Sequence, residues 1–264
     1  MRYPLGYVPD AAKGAGDKPD HDAGEALRAA PPPPASASNR NLVVSVLDQG
    51  PLGSCVANAG FQAIRASHVK QGIVSPKLGS RLLGYYLARG VDGTQDQDAG
   101  TQIRSFFGAL NKLGFCAEDA YPYDVDKFAD MPPAEVLQRA FDQRAPTVYK
   151  RITSTGYTRV DDVKRAIAAG YLVCFGTDVS VPFCNGEFDP TKAVDPPSGL
   201  DKIAGGHAMA LAEYDGDNFG IPQSWGETFG VRGWIKFSAD YIAWSSSRDF
   251  WIVEHAPLYS EGIR

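Results

Sequence analysis

The hydrophobic period of this chain changes once, near residue 146, and that change limits the folds open to it. Before it, apolar side chains recur three and four residues apart. After it, they alternate or run together in short stretches. Residues 101–113 set Ile103, Phe106, Phe107 and Leu110 on one helical face, with Gly114 placed to end the helix. Residues 54–69 open at Ser54, a helix-capping residue type, and carry Ala57, Ala59, Gly60 and Ala63, small enough for close approach to neighbours. Residues 78–89 carry an apolar stripe that stops at Gly90, and 133–143 predict a short fourth helix with Pro133 at an early position. Beyond the change, 148–153, 171–176, 207–214, 219–225, 233–238 and 249–254 are rich in Val, Ile, Phe, Tyr and Trp and read as strands. One more helix is predicted over 161–169, capped by Asp161 and closed by Gly170. A helical half followed by a β half is α+β order. The crevice between two such halves is where a site is expected.

The chain therefore divides into an N-terminal arm over 1–40, a helical lobe over 41–145, a β-rich lobe over 146–258 and a tail over 259–264. Residues 9–39 hold almost no side chain large enough for a core and include Pro31-Pro32-Pro33-Pro34, so this stretch alone predicts a flexible arm. Two readings of the arm stand: a linker, or a short pro-segment lying in or beside the cleft. The 264 residues are 44% hydrophobic and 22% charged, which excludes global disorder and coiled coil. The net charge of −5, with no basic block, gives no reason to expect a nucleic-acid partner. No apolar run reaches about 18 residues, so no membrane partner is expected. Met1-Arg2-Tyr3-Pro4 lacks the apolar core of a secretory leader. The expected compartment is the cytoplasm, with export by a route not visible in the sequence left open. Four cysteines are too few for a disulfide scaffold.

Three segments carry chemistry. In Gln49-Gly50-Pro51-Leu52-Gly53-Ser54-Cys55, a cysteine follows a glycine-rich turn and enters the first turn of a helix. Free N–H groups and partial positive charge at that end favour a thiolate nucleophile. Gln49, six residues upstream, can bring its amide beside the Cys55 N–H, and two donors there make an oxyanion hole. In Gly205-Gly206-His207-Ala208, a histidine opens an apolar strand, suited to taking the thiol proton and returning it to a leaving amine. In Gln223-Ser224-Trp225-Gly226, Gln223 offers an amide to orient the imidazole and Trp225 a ring to shield that bond.

These segments resemble the papain-like (C1) family of cysteine peptidases. Gln49…Gly53-Ser54-Cys55 is similar to its cysteine block, Gly206-His207-Ala208 to its histidine strand, and Gln223-Ser224-Trp225-Gly226 to its Asn-Ser-Trp-Gly block. The order and the steps of six and 16 residues agree with it. A bacterial subset of the family also has lookalikes of the early Gly-Tyr-Val-Pro-Asp, of Arg81…Arg89, of Asp98-Ala99-Gly100 and of Tyr121-Pro122-Tyr123-Asp124. The resemblance implies a two-lobed fold with a helical N-terminal lobe and a β-barrel-like C-terminal lobe, the active-site cleft between them. It implies peptide or protein substrates, no cofactor and no metal. It also implies that Cys55, His207, Gln223 and Gln49 are catalytic and that Gly53, Ser54, Gly100, Gly206 and Trp225 bind substrate, Gly100 by pairing with its backbone. Val56 replaces the family's tryptophan and Leu52 a disulfide cysteine. Gln223 replaces asparagine, and the added methylene predicts reduced activity. Two other readings use the same residues: a peptide-binding protein with a mis-set triad, and a thiol-dependent amidase or acyltransferase. Cys116, Cys174 and Cys184 lack metal-site spacing, and Asp92, Asp96 and Asp98 read as a solvated acidic loop.

Overall fold

The structure, a computed structural model, describes residues 3–13, 20–144 and 146–258, so the tail assigned to 259–264 lies outside the described residues. Four helices build the first half: Cys55–Lys70, Arg81–Asp92, Ile103–Leu113 and Ala134–Asp142. The second runs past Gly90 and closes instead on left-handed Gly93. Gly90 faces open space, so only its modest propensity cost opposes the helix there. The first helix is buried along nearly its whole length, and its small residues are why it can be. A side chain on Gly60 would fall 2.1 Å from Phe106 Cε1, and one on Gly84 2.6 Å from Phe61 Cε2. The rings of Phe61 and Phe106 lie perpendicular, 5.1 Å apart, so each ring fills the hole that a glycine leaves.

The second half forms two sheets. One holds Val148–Ile152, Arg248–His255, Val173–Ser180 and Ile203–Leu211 in that spatial order. The other holds Ser36–Ser38, Glu213–Asp215, Asn218–Pro222, Trp234–Ser238 and Ala193–Val194. All pairs are antiparallel except the last, Trp234–Ser238 with Ala193–Val194. Among the described residues the two sheets remain separate, so the barrel-like expectation becomes a pair of open sheets. Apolar packing falls into three groups. One, with Leu82, Leu83 and Ala109, lies within the helical half. A second, with Phe175, Phe219, Phe237 and Phe250, lies within the β half. The third joins them through Phe61, Phe106, Ala208 and Trp251.

Two expectations need correction. The helix placed over 161–169 begins at Gly156. Its first turn has little apolar signal; the buried Arg159 guanidinium holds it by donating to the Ile242 and Trp244 carbonyls at 2.9 and 2.8 Å. The stretch expected to be flexible is docked on the body over its described residues. Gly24–Ala29 is helical, with Leu27 buried beneath it, and Ser36–Ser38 pairs with Glu213–Asp215. Arg165 and the Tyr214 hydroxyl donate to the carbonyls of Ala30, Pro31 and Pro34. Backbone pairing substitutes for the apolar side chains this stretch lacks. Among the described residues no helix is long and apolar enough to cross a membrane.

Gly60→Ala tests the ring-into-glycine packing. Alanine gains about 1 kcal/mol of helix propensity, but overpacking of this kind costs about 1–3 kcal/mol, and the opposing Phe106 ring is fully buried. Urea unfolding should show a net loss of up to about 2 kcal/mol; a raised midpoint would contradict the packing described.

Candidate active site

Cys55 is the first residue of its helix, and Ser54 precedes it without capping it. The Ser54 hydroxyl is turned to the Tyr123 hydroxyl at 2.5 Å and accepts from Asn58 Nδ2 at 3.1 Å. The turn before it is braced from outside: the Gly53 N–H donates to Asp98 Oδ1 at 3.0 Å. Asp98 also accepts from Tyr85 Oη, and Asp92 accepts from Thr101 and Ser105. Residues 95–99 are exposed, as a solvated loop requires, but Asp92 and Asp98 also act as acceptors that hold the turn at Gly100–Thr101.

The sulfur of Cys55 reaches the opposite half, accepting from the Ala208 N–H at 3.4 Å. His207, one residue earlier on that strand, is fully buried, as is Cys55. Its Nε2 lies 3.1 Å from Gln223 Oε1. A carbonyl oxygen only accepts, so Nε2 carries the ring proton and Nδ1 is bare. Nδ1 is buried and has no hydrogen-bond partner among the described residues. Trp225 stacks on the imidazole with centroids 4.2 Å apart. The extra methylene of Gln223 is accommodated: its N–H donates to the Gly233 carbonyl at 2.8 Å, and its amide nitrogen rests on Met209 Sδ at 2.9 Å.

Electrostatics here depart from the expected thiolate. Burial pushes the Cys55 thiol up to about 12, although the N–H groups of Ala208, Gly6, Val56 and Cys55 itself pull the other way. Burial also pushes His207 down to about 4, against the Gln223 acceptor that favours its charged form. The helix end lowers the thiol less than desolvation raises it. The pair rests as neutral thiol and neutral imidazole.

Gln49 is fully buried beside this pair. Its Oε1 accepts from Ser224 Oγ at 2.6 Å, and its Nε2 donates to Leu52 O at 2.8 Å and at longer range, 3.5 Å, to Pro4 O. Ser224 has no role that the sequence pattern shows; in the structure it fixes which way the Gln49 amide faces. The available signal was its place between two candidate residues, on a loop that pairs with Asp48 through Trp225.

The cleft between these groups is filled by the arm. Tyr3 stacks on Trp225 at 4.9 Å, and the Pro4 carbonyl accepts from Trp225 Nε1 at 3.3 Å. Gly6 lies so close to the cysteine turn that a Cβ on it would fall 1.6 Å from Gly53 O. The N–H groups of Gly6 and Tyr7 donate to Gly206 O at 3.3 and 3.1 Å, Thr101 N–H donates to Gly6 O at 2.9 Å, and Val8 N–H to Thr101 O at 3.0 Å. Gly206 therefore pairs with the backbone of the arm. On the other wall Thr101 does this, because the Gly100 N–H is taken by Tyr85 Oη at 3.0 Å. Gly100 supplies clearance: a Cβ there would meet Gly6 O at 2.2 Å. The structure brings Cys55, His207, Gln223, Gln49, Gly53, Gly206 and Trp225 to one cleft; only the Ser54 hydroxyl faces away from the arm.

The arm's far end enters a charged cluster. Asp10 accepts from Arg104 N–H at 3.0 Å and Trp251 Nε1 at 3.1 Å, and its own N–H donates to Asp249 Oδ2 at 2.7 Å. Asp20 bridges Arg104, Arg151 and Lys13. Burial, then the charge of Asp249, pushes the Asp10 carboxyl up to about 6. Burial alone would raise Asp20, but hydrogen bonds from Arg104, Lys13 and Arg151 hold it at about 2.

No family model matches the chain. It is 34% identical over 218 residues to an uncharacterised peptidase C1-like protein of Acanthamoeba polyphaga mimivirus, covering 80% of this chain and 70% of that one. It is 24% identical over 222 residues to stem bromelain of Ananas comosus, covering 82% and 92%. Among solved structures it is similar to xylellain, a cysteine protease from Xylella fastidiosa, with TM-score 0.80, 26% identity and 97% of each chain covered. With the proCathepsin B of Trypanosoma congolense it shares the fold, at TM-score 0.68, 13% identity and 97% and 87% coverage. A cysteine at a helix tip against a histidine strand, in a chain this close to a C1-like relative, is a cysteine peptidase, and the chain belongs to the papain-like C1 family.

Proposed function

We propose that this peptidase cleaves internal peptide bonds through a thioester on Cys55, and that residues 3–10 hold it latent. The observation that carries the proposal is the Cys55 sulfur bonded to the residue next to His207, whose Nδ1 is bare and unpaired. The steps follow from these positions. His207 Nδ1 takes the thiol proton as sulfur bonds to the substrate carbonyl carbon. The resulting oxyanion is held by the Cys55 N–H and by the Gln49 N–H not spent on Leu52. On collapse the C–N bond breaks and His207 protonates the leaving amine. Water, deprotonated by His207, then attacks the thioester and releases the acid. Gln223 keeps the imidazole in the required tautomer, and Ser224 keeps the Gln49 donor turned inward.

Latency rests on what the arm offers the sulfur. The Gly6 N–H serves the Cys55 sulfur as well as Gly206 O, so the arm meets the nucleophile with a hydrogen-bond donor. The Pro4 carbonyl meanwhile occupies the spare N–H of Gln49. This arrangement blocks the cleft and is itself unreactive.

Three outcomes test the proposal. Gly6→Val leaves the chain whole but cannot keep the Gly53 contact. Overpacking of about 1–3 kcal/mol, at about tenfold per 1.4 kcal/mol, should raise hydrolysis of a peptide library about tenfold or more, and adding Cys55→Ala should abolish it. An equal rate in wild type and Gly6→Val would refute latency. In the Gly6→Val background, Gln223→Ala should lower kcat about 10²-fold and Gln223→Asn about tenfold, through imidazole misplacement, with KM little changed. Loss confined to KM would remove the orienting role.

The third outcome is pH dependence. Asp10 ionises near 3.8 when free and about 6 when docked, so the docked arm holds a proton in that window that the free arm does not. Docking therefore tightens as pH falls from 7 toward 5 and weakens as pH rises through 6. Asp20 has the opposite sign: its contribution is complete above about 3.8 and is lost as pH falls toward 2. Wild-type activity, divided by that of Gly6→Val at each pH, should rise from pH 5 to 8. A ratio that falls over this range would contradict the assignment.

A further inference from the structure

Of residues 3–10 only Tyr7 is buried as a whole residue, although the Asp10 side chain is buried too. Its ring enters a slot floored by Gly176, where a Cβ would fall 2.0–2.4 Å from Cζ, Cε2 and Cε1. Gly206 walls the slot, where a Cβ would fall 2.9 Å from Tyr7 Cδ1. Neither glycine has a left-handed φ, so space alone requires them. At the far end the Tyr7 hydroxyl donates to Asp249 Oδ2 at 2.5 Å. Asp249 is the second residue of its strand and has φ +55, a conformation L residues seldom adopt. That backbone aims a carboxylate into the slot, where its other oxygen accepts from Arg151 Nη2.

The charge around Asp249 decides what else would fit. Asp10, Asp20 and Lys13 belong to the arm and leave with it. Asp249 then stays beside Arg151 and within the field of Arg104. The base of the vacated slot is an acceptor without net negative charge. A substrate lysine or arginine would meet two guanidinium groups there, and a phenylalanine would leave the carboxylate oxygen facing a ring edge. A phenol satisfies the oxygen and fills the space.

We infer that this slot is a specificity pocket of the peptidase, that it selects a tyrosine side chain in the substrate, and that Asp249 is the residue that reads its hydroxyl. The inference rests on the proposed reading that the arm occupies the substrate cleft. Two measurements test it. In full-length Gly6→Val, a position-scanning peptide library should give one position at which tyrosine exceeds phenylalanine by about tenfold, the scale of a hydrogen bond to a charged group, and exceeds arginine. In the Asp249→Ala form of that protein the tyrosine-to-phenylalanine ratio should fall to about one, with leucine peptides still cleaved as the sign of an intact fold. Separately, Tyr7→Phe in the otherwise wild-type chain should speed alkylation of Cys55 by about tenfold on the same scale, a readout that needs no substrate. Cleavage without a tyrosine preference, or with arginine favoured, would overturn the pocket and leave the peptidase reading standing. Unchanged alkylation in Tyr7→Phe would overturn it as well. A chain that cleaves no peptide would overturn both.

Discussion

The contact on which this structure turns is the passage of Gly6 between Gly53 and Gly100. Its carbonyl takes the Thr101 N–H, its N–H serves Gly206 and faces the Cys55 sulfur, and no side chain would fit. Every other property of the site follows from that seal. With the arm in place Cys55 and His207 lose all contact with water, and desolvation then sets their protonation. A helix N-terminus worth about 0.3–1 kcal/mol at an exposed site does not offset the burial of a thiolate. The proposed latency is therefore both steric and electrostatic: the arm fills the cleft, and burial favours the thiol over the thiolate.

The two halves have different tasks in this arrangement. The helical half supplies the Cys55 sulfur and the proposed oxyanion donors on elements locked by ring-into-glycine packing, with Asp92 and Asp98 bracing the loop opposite. The β half supplies the imidazole from the middle of an edge strand, where pairing with Val173–Ser180 sets its position, Thr177 opposite His207. Gln223 and Trp225 fix the ring by a hydrogen bond and a stacked face. The Ser224–Gln49 bond ties the proposed oxyanion donor of one half to the Gln223–Trp225 loop of the other. Relative motion of the halves would thus disturb nucleophile, base and oxyanion donor together.

Much of the site was legible in the sequence because the chemistry requires particular residue types at particular steps. A cysteine after a glycine turn, a histidine entering an apolar strand and an amide beside a tryptophan have few substitutes. The helices at 103–113 and 55–70 were legible from apolar spacing and small residues. The docked arm was legible only as one of two readings, because Gly6, Tyr7 and Val8 bind largely through backbone groups, which leave no pattern in side-chain hydropathy. Asp249 was hidden for a related reason: within an apolar run it reads as a strand-end polar residue, and only its left-handed backbone and the Tyr7 hydroxyl reveal its direction. The helix begun at Gly156 was missed because a buried arginine on distant carbonyls holds it, a contact that sequence spacing does not encode.

Amide hydrogen exchange over residues 3–10 tests the central claim most directly. If Gly6, Tyr7 and Val8 are paired in the cleft, their amides should exchange as slowly as those of the strand Ile203–Leu211 that they pack on, reporting opening of a cooperative unit. Exchange at the rate of an unstructured peptide, while that strand stays protected, would contradict it.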